Sequence, residues 1–121
     1  MKKLTLGLAL AASLWATAAS AMTVQEFLTA AAGIPRNPTA MLRSDTRRLM
    51  NEINWAFRTV RQEQTAAQAV GSRPAHCMPE KVSVNPDILL ARFNGIPAAR
   101  RNISVTQAVR EWMTDRYPCP A

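Results

Sequence analysis

Histidine, cysteine and glycine are scarce in this chain of 121 residues, which has one histidine, two cysteines and four glycines. A single histidine, His76, leaves no second imidazole to act as a catalytic base. The four glycines form no Gly-rich phosphate loop. The eight carboxylates are scattered, and no helical spacing forces two of them together. The sequence therefore does not indicate an enzyme.

His76 and Cys77 are adjacent, which raises the hypothesis of a thiol nucleophile activated by a histidine. Neighbouring residues rarely present their side chains to each other, and a disulfide would consume the thiol. A metal site built from His76, Cys77 and Cys119 would need further ligands, and the carboxylates lack ligand spacing. We therefore expect neither catalysis, nor a bound metal, nor a cofactor.

Residues 1–21 have the pattern of a secretory signal peptide. Lys2 and Lys3 precede an uncharged run, and the segment ends on the small residues 19–21, which match an A-x-A-like cleavage site. The run has only about 18 uncharged residues, many of them Ala, Ser or Thr, so we expect no stable membrane anchor. The mature protein is then residues 22–121, a single helical domain.

Acidic residues are outnumbered in the mature domain. Removing Lys2 and Lys3 from the 15 basic residues leaves 13 against 8 acidic residues, a net charge of about +5. In an exported protein this charge favours acidic proteins or envelope polyanions as partners over nucleic acid. An ordinary solvated basic surface is equally compatible with the composition.

Both cysteines, Cys77 and Cys119, remain in the mature chain, and export places them where thiols oxidise. We expect them to form a disulfide. It would close a loop of about 42 residues, for which the chain-entropy model gives roughly 4 kcal/mol. Pro118 and Pro120 stiffen the chain beside Cys119, so the bond would hold the C-terminus against the middle of the sequence.

Helical signals dominate the mature chain, and no convincing strand is present. Thr23 and Glu26 form a capping box for a first helix that runs to Gly33. The segment 38–70 predicts one long helix, with a break near an N-cap at Ser44 and Asp45. Its apolar stripe follows helical spacing: Leu42, Leu49, Ile53, Phe57 and Val60.

Two shorter helices complete the prediction. Asn85 caps a third helix that begins at Pro86 and stops at Gly95. Ser104 and Gln107 form a capping box for a fourth helix, which Pro118 terminates. The expected fold is an all-α bundle of about four helices, with one disulfide cross-linking the C-terminal helical pair.

Trp55 does not belong to the apolar stripe of the long helix. It lies about 200° round the helix from Ile53, next to Arg48 and Asn51. We expect it to pack against another helix of the same domain. The alternative is a partner or dimer surface, where tryptophan is enriched.

The segments "HCMPE" and "RYPCP" carry a resemblance to a known family. A Cys-x-Pro element at Cys77 and Pro79, followed by an aromatic-Pro-Cys-Pro terminus from Tyr117 to Pro120, resembles the C-terminal half of the Rap/Tai immunity proteins. Those are small exported helical proteins of Gram-negative bacteria that protect a cell from peptidoglycan amidases delivered by type VI secretion. The match spans residues 75–120. The first half of the chain departs from the family, because it has a long Arg-rich helix where members carry further cysteines.

The resemblance implies a periplasmic protein that binds and inhibits a peptidoglycan amidase through a loop inserted into the active site, often as a homodimer. By analogy, the loop from Gly71 to Val84 is the candidate contact, and we expect its partner-binding side chains to be exposed: Arg73, His76, Met78, Glu80 and Lys81. Trp55 is a further candidate. The alternative function is a non-inhibitory envelope protein, such as a small stress or acid chaperone, which would need exposed apolar surface.

Overall fold

The computed structural model describes residues 21–120, so the predicted signal peptide lies outside the described residues except for Ala21. The described chain is an all-α bundle, as expected, and contains no strand. Four α-helices follow one another: α1 (Val24–Ala32), α2 (Ser44–Ala69), α3 (Pro86–Asn94) and α4 (Val105–Arg116). Two short 3₁₀ helices, Pro38–Leu42 and Ala98–Arg100, precede α2 and α4.

The helix starts follow the predicted capping residues. The Glu26 amide donates to the Thr23 hydroxyl at 3.1 Å and the Thr23 amide donates to the Glu26 carboxylate at 2.9 Å, so this capping box is complete. Asn85 accepts from the Ile88 amide at 2.8 Å. Ser104 accepts from the Gln107 amide at 3.0 Å, but the Gln107 side chain binds Glu111 instead, so this box is only half formed.

The predicted long helix is broken at Arg43, whose extended backbone separates the 3₁₀ helix Pro38–Leu42 from α2. Ser44 and Asp45 lie inside α2, and Arg43 occupies the cap position without a side-chain hydrogen bond. Leu42 is 78% exposed because it belongs to the 3₁₀ helix, so its assignment to the apolar stripe is wrong.

The core forms where α1 and α4 pack on α2. Trp112 of α4 meets Phe57 of α2 edge to face at 6.0 Å, and Phe27 of α1 meets Phe93 of α3 at 5.3 Å. At the bundle end the Val24 amide donates to the Ile103 carbonyl at 2.9 Å. The start of α1 is therefore held next to the start of α4.

Cys77 and Cys119 form the predicted disulfide, across 42 positions of sequence. The bond encloses α3 and α4 in one covalent loop and joins the chain after α4 to the 71–84 loop that follows α2. A disulfide indicates an oxidising compartment. Within residues 21–120, none of the helices combines the length and apolar character needed to cross a bilayer.

Candidate functional site

The 71–84 loop, the predicted contact loop, is bonded along α2. His76 is only 2% exposed, and its Nε2 donates to the Val60 carbonyl of α2 at 3.1 Å. Since a carbonyl can only accept, this bond assigns the proton to Nε2. The prediction that His76 is an exposed contact residue is therefore wrong, because its imidazole fills space between the loop and α2.

Met78 is also buried, at 6% exposed, which corrects the second of the five loop predictions. The buried Gln64 of α2 pairs with its backbone. The Met78 amide donates to Gln64 Oε1 at 2.8 Å, and Gln64 Nε2 donates to the Met78 carbonyl at 3.2 Å. Arg61 donates to the next carbonyl, that of Pro79, at 2.7 Å. Three successive hydrogen bonds thus hold this part of the loop to one helix.

The other side of the loop is bonded to the C-terminal segment. The Cys77 amide donates to the Tyr117 carbonyl at 2.8 Å, and Arg73 donates to the Cys119 carbonyl at 3.1 Å. Arg73, Glu80 and Lys81 are exposed as predicted. The loop is therefore a rigid connection between α2 and the end of α4 that presents only these three charged side chains of the predicted set.

Trp55 points into solvent and is 57% exposed, so the expectation that it packs inside the domain is wrong. It lies in a shallow depression on the outer side of α2. We call this surface the Trp55 face, and its residues are Ser44, Arg47, Arg48, Asn51, Glu52, Asn54, Trp55 and Arg58. These residues are spaced three or four positions apart, which places them on one side of α2, opposite its apolar stripe.

Three arginines surround Trp55 and form no salt bridge with any described carboxylate. Within residues 21–120, Arg47, Arg48 and Arg58 make no salt bridge. Five other arginines do pair with carboxylates: Arg36, Arg43, Arg92, Arg100 and Arg110. Glu52 is the one acidic residue of the Trp55 face. The face thus carries net positive charge around an exposed indole.

A second surface feature is an apolar groove that the sequence did not indicate. It lies between α1, the first half of α2 and the 82–90 segment, and it encloses about 670 Å³. Met41 and Met50 line it, and about half of each side chain is exposed. The helical pattern of residues 38–70 places Met41 in the predicted long helix and so predicts no groove. In the structure the chain changes direction at Arg43, and the 3₁₀ helix that contains Met41 forms one wall of the groove.

Of the described carboxyls with a lowered pKa, Glu26 is bonded to Thr23 in the capping box, and the other two belong to surface ion pairs. The Arg110 guanidinium, hydrogen-bonded to Glu63 at 2.6 Å, lowers the pKa of that carboxyl. Arg100 lowers the pKa of Glu111 in the same way. In the part of the chain that the structure describes, no three His, Cys, Asp or Glu side chains are grouped as a metal site would require.

Comparisons of the chain with protein-family models, with curated proteins and with solved structures give no match.

Proposed function

We propose that the protein is an exported periplasmic binding protein that acts by contacting another protein through the Trp55 face. The observation that carries this proposal is the exposed indole of Trp55 among three arginines that form no salt bridge in the described part of the chain. Tryptophan and arginine are the side chains that most often dominate the binding energy of protein interfaces. The proposed activity is therefore binding, with no bond made or broken by this chain.

The chemistry of the Trp55 face selects an acidic partner surface. Arg47, Arg48 and Arg58 can each donate hydrogen bonds to a partner's carboxylate without breaking an ion pair, because none of them forms one within residues 21–120. Besides the hydrogen bonds with Thr23, Arg48 does lie close enough to Glu26 to lower the pKa of that carboxyl. Arginine also binds carboxylates in a bidentate manner, which fixes orientation as well as charge. Because opposite charges attract over long distances, association should slow as the salt concentration rises.

The target class that we propose is a peptidoglycan amidase. The support is the resemblance of residues 75–120 to the Rap/Tai immunity proteins, whose members inhibit such enzymes. In this chain the 71–84 loop uses His76 and Met78 to pack on α2, which leaves few side chains to enter an active site. We therefore propose that the Trp55 face makes the contact and that Arg73, Glu80 and Lys81 lie outside it.

The experiment compares two sets of variants as bait in periplasmic extract from the source organism. One set changes the Trp55 face, with Trp55→Ala and Arg58→Ala, and the matched set changes the loop, with Glu80→Ala and Lys81→Ala. We expect the wild type and the loop variants to retain the same protein and the face variants to lose it. The retained protein is then purified, its affinity is remeasured, and its hydrolysis of peptidoglycan is assayed with and without the wild type.

Two results would contradict the proposal. Retention by the face variants but not by the loop variants would move the contact to the loop. Absence of any specific partner, together with suppression of the aggregation of unrelated proteins at low pH, would favour the chaperone alternative. Inhibition of an amidase by the wild type, and its loss with Trp55→Ala, is the outcome that we expect.

A further inference from the structure

The apolar groove is lined by side chains from three separate parts of the chain. Phe27 comes from α1, Leu49, Ile53 and Phe57 come from α2, and Val84 and Leu89 come from the 82–90 segment. Its volume of about 670 Å³ falls within the range of roughly 300–1,000 Å³ typical of small-molecule sites. Such sites are mostly apolar and contain a few polar groups, as this groove does.

Two of the exposed large apolar side chains of the described chain line the mouth of the groove. Met41 is 59% exposed and Met50 is 46% exposed, and both line the groove. Leu42 and Ile88 are also exposed and are neighbours in sequence of lining residues, although they do not line the groove themselves. Clustered apolar exposure of this kind marks a binding surface rather than ordinary surface composition. Methionine suits such a site because its flexible side chain adapts to the shape of a ligand.

The charge around the groove indicates the sign of a ligand's head group. Asn54 lines both the groove and the Trp55 face, so the two surfaces meet at this side chain. Arg58 is one helical turn after Asn54 and Arg47 is two turns before it, on the same side of α2. Neither arginine has a carboxylate partner within the described chain. A head group emerging at Asn54 would therefore meet net positive charge, because Arg47 and Arg58 outweigh Glu52 on this face.

At the other rim the charges cancel. Arg36 and Asp87 both line the groove and pair with each other at 3.3 Å. This rim gives no preference for either sign, so the Asn54 side decides the polarity of the ligand.

We propose that this groove binds a single-chain anionic amphiphile, namely a free fatty acid, with its alkyl chain among the apolar side chains and its carboxylate at Asn54 near Arg47 and Arg58. A groove of this size suits one alkyl chain rather than a whole bilayer lipid. The inference shares Arg47 and Arg58 with the proposed protein contact, but the alkyl-chain site in the groove does not involve the Trp55 indole.

The test is calorimetric titration of the purified protein with dodecanoate below its micelle concentration. Dodecyltrimethylammonium and dodecyl maltoside serve as cationic and neutral probes of the same chain length. We expect saturable binding of one dodecanoate per chain and affinity at least about tenfold lower for the cation. No saturable dodecanoate binding, or equal affinity for the cation, would overturn the proposal.

Two variants fill the groove from different walls. Ala31→Phe on α1 and Ala40→Phe on the 3₁₀ helix each place a ring where the chain would lie, and Ala66→Phe on the exposed side of α2 is the matched control. We expect both groove variants to weaken dodecanoate binding at least about tenfold and the control to leave it unchanged. Unchanged binding in both groove variants would overturn the site. The oligomeric state of the same variants is measured as well. If they change from dimer to monomer and still bind dodecanoate, the groove is occupied by a second copy of the chain, and the proposal is overturned.

The head-group contact has its own variants. Arg47→Gln combined with Arg58→Gln should weaken dodecanoate binding several-fold but leave dodecyl maltoside binding unchanged, and Arg116→Gln on α4 is the control. Equal weakening for both probes would overturn the charge assignment.

If the groove variants fail to fold, methyl chemical-shift changes of the wild type on addition of dodecanoate locate the site. We expect them at Ile53, Leu89 and Met50, and shifts confined elsewhere would refute it.

Discussion

The 71–84 loop and the Trp55 face differ in how their polar groups are satisfied. In the loop, polar groups that the secondary structure leaves unpaired bond to α2 and to the C-terminal segment, and His76 and Met78 are buried in the process. In α2 the backbone is paired within the helix, so its outward side chains stay available to solvent. The proline-containing 71–84 loop is therefore mainly a structural connection. The exposed tryptophan and arginines that can bind a partner lie on a regular helix, α2.

The largest effect expected within this comparison comes from removing the disulfide. Replacing Cys77 and Cys119 with Ser should lower the free energy of unfolding by about 2–5 kcal/mol, since the bond restricts the unfolded chain across 42 positions. Thermal and denaturant unfolding followed by circular dichroism would measure it. An unchanged melting temperature in the double variant would show that the loop is held by its hydrogen bonds alone.

Truncating the buried histidine should have the next largest effect. His76→Ala removes a packed ring and its bond to the Val60 carbonyl, and we expect a loss of about 2–3 kcal/mol of unfolding free energy. Lys81→Ala, in the same loop but exposed, is the matched control and should change stability by less than about 0.5 kcal/mol. Equal effects of the two substitutions would mean that the loop is not packed as described.

The ion pair between α2 and α4 gives a smaller, pH-dependent effect. Arg110 lowers the pKa of Glu63 in the folded protein, so the pair stabilises the fold above the ordinary glutamate pKa of about 4.3. This contribution is lost as the pH falls through the lowered pKa and the carboxylate is protonated. Because the pair is partly exposed, Glu63→Gln should cost less than about 1 kcal/mol at pH 7.

Denaturant unfolding of the wild type and of Glu63→Gln at a series of pH values checks this prediction. The two stabilities should converge at acid pH, where both side chains are neutral. A difference that persists unchanged at pH 2 would show that the carboxylate charge is not the cause.

The smallest effect on stability is expected at Trp55. Since the indole is exposed, Trp55→Ala should change the unfolding free energy by less than about 0.5 kcal/mol. Trp112→Ala is the matched control, because Trp112 is buried against Phe57 and its loss should cost about 3–5 kcal/mol. A stability loss at Trp55 comparable to that at Trp112 would contradict the exposed position of Trp55.

The features that sequence reasoning predicted correctly depend on residues close together in the chain. The caps at Thr23, Asn85 and Ser104 form between residues three positions apart. The disulfide was predictable for a different reason, since two cysteines allow only one intramolecular pairing. The all-α class followed from helical periodicity and from the absence of alternating strand patterns.

The candidate site was predicted less well because exposure depends on how elements pack. Nothing in the loop composition indicates that Gln64 pairs with the Met78 backbone, so burial of Met78 was not foreseeable. Trp55 was placed on the correct side of α2, but whether a neighbour covers that side is a tertiary property. The groove depends on the turn at Arg43, which brings Met41 against α2.

The most direct test of the Trp55 face as the contact surface is site-specific photo-crosslinking in the periplasm of living cells. A benzophenone amino acid is placed at position 51, on the Trp55 face but leaving Trp55 in place, in one strain and at position 80 in another, so that the helix face and the loop are sampled in the same fold. We predict an ultraviolet-dependent adduct with one other protein from position 51 and none from position 80. An adduct from position 80 alone would contradict the account and return the contact to the 71–84 loop.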